Sequence, residues 1–267
     1  FNTGMAERVS RKLQLESELH LALTEKQFVL FYQPKVDVAS GEIIGAEVLL
    51  RWQHPERGLI SPAEFIPVLE SSGLIVDVGR WVIRESCQNL QQLVEQELWG
   101  GGMRLSVNIS PRQFSGQDFV NDVKNILQYV DIPENSLDFE VTESVVIHNV
   151  EETITTMTTL TSMGISFSLD DFGTGYSSIS YLKRLPVSTL KVDYSFVRDI
   201  VDDHSDRVLV ETIITMGKLL NLDVVAEGVE ELAQLKMLAD FGCHYYQGFY
   251  FSRPVPLGDF MNLLIKA

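Results

Sequence analysis

Between residues 167 and 178 the chain reads FSLDDFGTGYSS, an alternating apolar run that ends in two adjacent carboxylates, Asp170 and Asp171, and passes into a glycine-rich turn. Phe167 and Leu169 alternate with Ser166 and Ser168 at the period of a strand. Gly173 and Gly175 supply the freedom of a tight loop. Two carboxylates side by side repel unless a cation or a shared proton relieves them. The pair therefore reads as a divalent-metal site or an acid/base site, with a solvated loop start as the plain alternative.

The elements that must position this pair follow from hydrophobic period. Residues 5–26 form an amphipathic helix with Leu15, Leu19, Ala22 and Leu23 on one face. Residues 28–38 and 43–52 are strands joined by a turn at Ser40-Gly41, hence an antiparallel pair. Ser61, Pro62 and Glu64 give the N-cap, first-turn proline and capping-box glutamate of a helix start, and a second helical region covers 76–97. From there strands and helices alternate. Strands are predicted at 103–109, 137–143, 165–170, 188–193, 222–227 and 245–251, and helices at 111–129, 145–163, 179–185, 206–220, 230–241 and 257–265. Six strands in βα alternation plus the opening pair make eight, close to the roughly 250 residues of a (β/α)₈ barrel. A doubly wound open sheet is the alternative, and no GxGxxG turn supports it.

Barrel chemistry gathers at the C-terminal ends of the strands. Those positions carry Glu47, Asn108, Glu140, Asp170 with Asp171, Lys191, Glu227 and Gln247. One polar strand end is ordinary capping, whereas so many together point to a shared site. Carboxylates with an amide oxygen are hard ligands, suited to Mg²⁺ or Mn²⁺ and not to zinc, and two ions would clamp the attacking and leaving oxygens of a phosphoryl group. Arg51, Lys191 and Arg253 are the positive charges near these motifs. Metal-independent glycosidase chemistry would need only two acids and would leave Lys191 and Asn108 without a task. The Asp-Phe-Gly at 171–173 lacks the HRD, VAIK and GxGxxG companions of a protein kinase.

The 267 residues carry a formal charge of −16 and two isolated cysteines, Cys87 and Cys243. Without a Lys/Arg cluster the chain does not suit a nucleic-acid groove, and the lone thiols indicate a reducing, cytosolic setting. No apolar run has the length of a membrane span. Starting on Phe1 instead of Met, the sequence reads as a fragment of a longer polypeptide.

In order along the chain stand Tyr32-Gln33-Pro34, GAEVLLRWQHPERGLISPAEFIP from Gly45, Val107-Asn108-Ile109-Ser110, Glu140-Val141-Thr142-Glu143, DDFGTGYSS from Asp170, Leu190-Lys191-Val192-Asp193, AEGVE from Ala226 and YYQGFYFSRP from Tyr245. With these blocks the chain resembles the EAL family of cyclic di-GMP phosphodiesterases from Leu13 to Ile265. The resemblance implies a TIM-like barrel with one antiparallel strand near the N-terminus. It implies hydrolysis of cyclic di-GMP, a bacterial second messenger, to linear pGpG by water activated by two Mg²⁺ or Mn²⁺ ions. Glu47, Asn108, Glu140, Asp170 and Asp171 would hold the ions, with Glu227 a further ligand or a base. Lys191 would orient water and offset phosphate charge, and Gln247 would position water or substrate. Glu143 would brace the loop 171–178, which in this family links metal binding to dimer contacts. Gln33, Arg51, Asp171 and Arg253 would contact substrate.

The family's signature triplet reads Glu-Val-Leu here. Val48 should face away from Glu47 and report on packing, not ligation. Residues 1–26 resemble a linker helix that follows a GGDEF or sensory domain, with the barrel in 27–267. The full-length protein could be anchored to a membrane, with this domain on the cytosolic side and paired as a homodimer. The alternative function is a catalytically silent receptor for the nucleotide, which would be free to lose ligands; none is missing.

Overall fold

The computed structural model describes residues 3–174 and 179–266. Among the described residues ten strands form one sheet: β1 (Phe28–Asp37), β2 (Ile43–His54), β3 (Gly58–Ile60), β4 (Arg104–Asn108), β5 (Leu137–Thr142), β6 (Ile165–Phe172), β7 (Thr189–Val192), β8 (Asp223–Glu227), β9 (Tyr245–Gln247) and β10 (Val255–Pro256). β1 pairs with both β2 and β9, so β1-β2-β4-β5-β6-β7-β8-β9 close into an eight-stranded barrel. β1 runs antiparallel to both of its neighbours in the ring, and every other pairing in the ring is parallel. β3 and β10 are short antiparallel additions to β2 and β1.

Alternation along the strands separates two interiors. Val107, Phe139, Val141, Phe167, Leu169, Leu190, Val192, Val224 and Ala226 are buried in the apolar layer. Their neighbours Ser106, Asp138, Glu140, Ser168, Thr189 and Lys191 are equally buried but polar. Parallel strands buried on both faces usually read as continuous apolar runs. Here they alternate because the barrel's inside is lined by hydrogen-bonded polar groups.

Several boundaries differ from the sequence expectation. The region 111–129 is two helices, Pro111–Phe114 and Phe119–Leu127, and 145–163 is likewise two, Glu143–His148 and Val150–Thr161. In the second case Asn149 leaves helical geometry and caps the helix Val150–Thr161 through its side chain, which accepts from the Glu152 backbone. Ser61 precedes the helix Pro62–Ser72 without a side-chain cap, and Glu64 pairs with Arg57 instead of closing a capping box. β9 stops at Gln247 because Gly248 lies against the Val229 backbone, where a Cβ would stand 2.0 Å from the carbonyl oxygen. In the first helix, Thr3–Thr24, Leu19 and Ala22 are fully buried in the core. Cys87 and Cys243 are buried free thiols. Among the described residues no helix is long and apolar enough to cross a membrane.

Candidate active site

The centre of the site is one ammonium group. Lys191, 1% exposed on β7, places Nζ 2.7 Å from Glu227 Oε1, 3.1 Å from Asp170 Oδ1 and 3.7 Å from Glu47 Oε2, and it also bonds Glu140 Oε2. Sheet register produces this convergence. Gln33 of β1 lies opposite Glu47 of β2, Asn108 of β4 beside Glu140 of β5, and Glu227 of β8 beside Gln247 of β9. Asn108 Nδ2 donates to Glu47 Oε1 at 2.6 Å. Gln247 Nε2 donates to Glu47 Oε2 at 2.7 Å and to Gln33 Oε1 at 2.9 Å.

Asp170 and Asp171 raise a geometric problem, since adjacent residues of a regular strand face opposite ways. β6 solves it with an irregularity in its pairing to β7 between Leu169 and Phe172, where Asp171 adopts φ 54°. That left-handed conformation is uncommon for a residue with a side chain, and Asp is among the few that tolerate it. Oxygens of Asp170, Asp171 and Glu227 thereby lie within 4.8 Å of one another. The strand does not stop at the pair, as the sequence suggests, but bends through it and continues to Phe172.

Charge is unevenly balanced. Burial, then the charges of Glu140 and Asp170, pushes the Glu47 carboxyl up. Burial likewise lifts Glu227 well above the usual carboxyl range, opposed by Lys191 and reinforced by the charges of Asp170, Glu47 and Glu140. Burial, Asp170 and Asp193 raise Asp171 to about 6. Glu140 goes the other way: burial would raise it, but the ammonium groups of Lys191 and Lys35 hold it at about 2. Burial also works against the charge of Lys191, yet the surrounding carboxylates keep its pKa well above that of an ordinary lysine. A surplus of anionic oxygens in a half-closed mouth fits a hard divalent cation. Gln247 Oε1, buried and without a partner among the described residues, fits a water there.

The remaining predicted residues stand around this centre. Glu143 Oε1 accepts from the Gly173 backbone at 3.1 Å and so holds the start of the loop after β6. The rest of the predicted loop, residues 175–178, lies outside the described residues. Gln33 Nε2 donates to the Ser252 carbonyl at 3.2 Å, tying the segment that carries Arg253 to β1. Arg253 lies over the Phe249 ring, 4.2 Å from its centroid, and makes no ion pair with the carboxylates among the described residues. Arg51 is half-buried, bonded to the Leu50 carbonyl and lowered in pKa by burial. It borders a recess of about 300 Å³ shared with Val48, Pro62, Ile66 and Asn108. Val48 is 2% exposed and packs outside the ring of site carboxylates.

Three participants are not among the residues that the sequence singles out. Lys35 bonds Glu140 Oε1 at 2.6 Å, Asp138 lies two residues below Glu140 on the same face, and the charge of Asp193 helps raise the Asp171 carboxyl. Lys35 shares strand and face with Gln33, so the period of two could have found it.

Known proteins resemble this chain in sequence and in fold. The chain is 42% identical over 260 residues to the bifunctional diguanylate cyclase/cyclic di-GMP phosphodiesterase MucR of Pseudomonas aeruginosa, covering 96% of this chain and 37% of that protein. It is 41% identical over 256 residues to the cyclic di-GMP phosphodiesterase PdeR of Escherichia coli, covering 96% and 38%. The chain thus spans little more than a third of these relatives' length. A solved structure of the PaMucR phosphodiesterase in complex with c-di-GMP superimposes with a TM-score of 0.89 at 42% identity, covering 92% of this chain and 99% of that one. The EAL enzyme Bd1971 bound to cAMP and cyclic di-GMP gives 0.92 at 34% identity, covering 98% and 71%. Residues 16–254 match the family model described as EAL domain, and this chain belongs to the EAL domain family.

Proposed function

We propose that this chain hydrolyses cyclic di-GMP to linear pGpG with two Mg²⁺ or Mn²⁺ ions. The observation that carries the reading is the complete charged set at one mouth: Lys191 among Glu47, Glu140, Asp170 and Glu227, with Asp171 brought alongside by the bend in β6. A nucleotide receptor would be free to lose members of this set, and none is missing from the sequence. The c-di-GMP complex of PaMucR phosphodiesterase, at 42% identity, supports the choice of substrate.

In this reading Glu47, Asn108, Glu140, Asp170, Asp171 and Glu227 hold the ions. When bound, the ions supply Lewis-acid activation of water and charge neutralisation at the scissile phosphate. Lys191 orients the attacking water and offsets charge on the phosphate oxygens, and Gln247 holds that water through its free carbonyl oxygen. Formation of pGpG with a 5′ phosphate requires the water oxygen to bond to phosphorus as the P–O3′ bond breaks, with a proton given up by the water ending on the departing 3′ oxygen. Arg51 and Gln33 grip substrate, with Arg253 and Asp171 at its edge. The apolar recess beside Arg51 and Asn108 suits the flat face of a purine. Glu143 links the metal-bearing end of β6 to its loop, and through that loop to a homodimer contact. Residues 1–26 lead in from a GGDEF or sensory domain of a longer, cytosol-facing protein.

Glu47→Ala and Lys191→Ala each test the assignment. Either should lower turnover by at least about 10²-fold to 10³-fold, the loss seen when one preorganised charge-stabilising group is removed. Wild-type turnover in a folded variant, measured by nucleotide chromatography, would sink it.

A further inference from the structure

Beneath the carboxylates lies a second polar layer that the proposed chemistry does not use. Lys35 is 3% exposed and Ser106 and Asp138 are each 1% exposed, as is the site carboxylate Glu140 above them. Lys35 Nζ donates to Glu140 Oε1 at 2.6 Å and to Ser106 Oγ at 2.6 Å. Ser106 Oγ donates its hydrogen to Asp138 Oδ2 at 2.9 Å, and Ser168 Oγ donates to the same oxygen at 2.7 Å. The direction of each bond is fixed by chemistry. A lysine only donates and an ionised carboxylate only accepts, so the single hydroxyl hydrogen of Ser106 goes to Asp138 and its lone pair faces Lys35.

Glu140 is therefore gripped on both oxygens, by Lys191 from the mouth and by Lys35 from below. A carboxylate with both oxygens bonded to ammonium groups cannot turn its plane freely. Stability alone does not call for Lys35, because a buried ammonium is expensive to desolvate and an apolar side chain of similar length would fill its place. Nor is the layer closed off by apolar packing. Lys35, Ser106, Asp138, Ser168 and Thr189 line a cavity of about 330 Å³ at the opposite end of the barrel. Asp138 Oδ1 is buried with no partner among the described residues, and such a cavity has room for water to reach it.

We propose that Lys35 is a positioning residue, aimed by Ser106 and Asp138, that fixes Glu140 for metal binding from beneath the site. This rests on the proposed metal-dependent activity. Outer groups that hold a ligating carboxylate are worth about 10-fold to 100-fold in metal affinity or activity.

The test uses Lys35→Met, Ser106→Ala and the double variant. Mn²⁺ binding is followed by electron paramagnetic resonance, and crystal structures of the wild type and variants report the Glu140 carboxylate. Lys35→Met should weaken Mn²⁺ binding by about 10-fold or more and lower kcat with little change in nucleotide KM. Ser106→Ala should weaken binding less, and the double variant should be no worse than Lys35→Met, because Ser106 acts through Lys35. Wild-type Mn²⁺ affinity with an unmoved Glu140 in folded Lys35→Met would overturn the proposal. Should that variant not fold, the same result in Ser106→Ala overturns it. A wild-type protein that takes up no Mn²⁺ would count against the proposed activity, while the position of Glu140 in the crystals still decides the clamp.

Discussion

Lys191 and Glu140 show how single residues divide the work. Glu140, bonded to two ammonium groups, stays ionised down to about pH 2. Asp171 lacks such partners and is raised from 3.8 to about 6, chiefly by burial and by Asp170 and Asp193. A carboxyl raised in the folded state holds its proton there more tightly than in the unfolded chain. Its contribution to stability is fully present below 3.8 and is lost as pH rises through about 6. Metal binds only the ionised form, so Mg²⁺ has more to restore at higher pH. The rise in melting temperature produced by saturating Mg²⁺ should be larger at about pH 7.5 than at about pH 5. Equal rises in differential scanning fluorimetry would contradict this account of the site's charge.

At the scale of elements, the bend in β6 matters most. A regular strand would send Asp170 and Asp171 to opposite faces, and the left-handed Asp171 at φ 54° prevents that. Asn tolerates this conformation as well as Asp does, while a β-branched residue does not. Asp171→Val should therefore be less stable than Asp171→Asn by about 1–2 kcal/mol in urea denaturation, although both remove the charge. Equal stabilities would mean that the bend imposes no conformational demand. The sequence shows which strands exist and which ends are polar, because apolar alternation fixes both. It does not show the bend, since two adjacent aspartates look the same in a straight strand and in a kinked one. Lys35 and Asp138 are legible by their spacing of two from Gln33 and Glu140. They sit one layer deeper than the strand ends, where barrel chemistry is not expected, and so do not stand out as site residues. The split at Asn149 falls inside an apolar period that continues across the break from Ile147 to Val150 and Ile154, so period alone cannot find it, whereas the polar segment 115–118 interrupts the period and is legible as a loop.

At the scale of the molecule, the barrel encloses polar groups and keeps its apolar core between strands and helices. This lets one face collect Glu47, Glu140, Asp170, Asp171 and Glu227 around Lys191 without unfolding the scaffold that holds them. A chain of net charge −16 is a poor partner for an anionic nucleotide unless cations are recruited to its mouth. Metal dependence is thus the central claim. The most direct measurement is incubation of the purified chain with cyclic di-GMP and Mg²⁺ or Mn²⁺, with and without EDTA, and then chromatography of the nucleotides. The account predicts pGpG in the presence of metal and none with EDTA. Intact cyclic di-GMP in the presence of bound metal, or pGpG formed equally with EDTA, would contradict it.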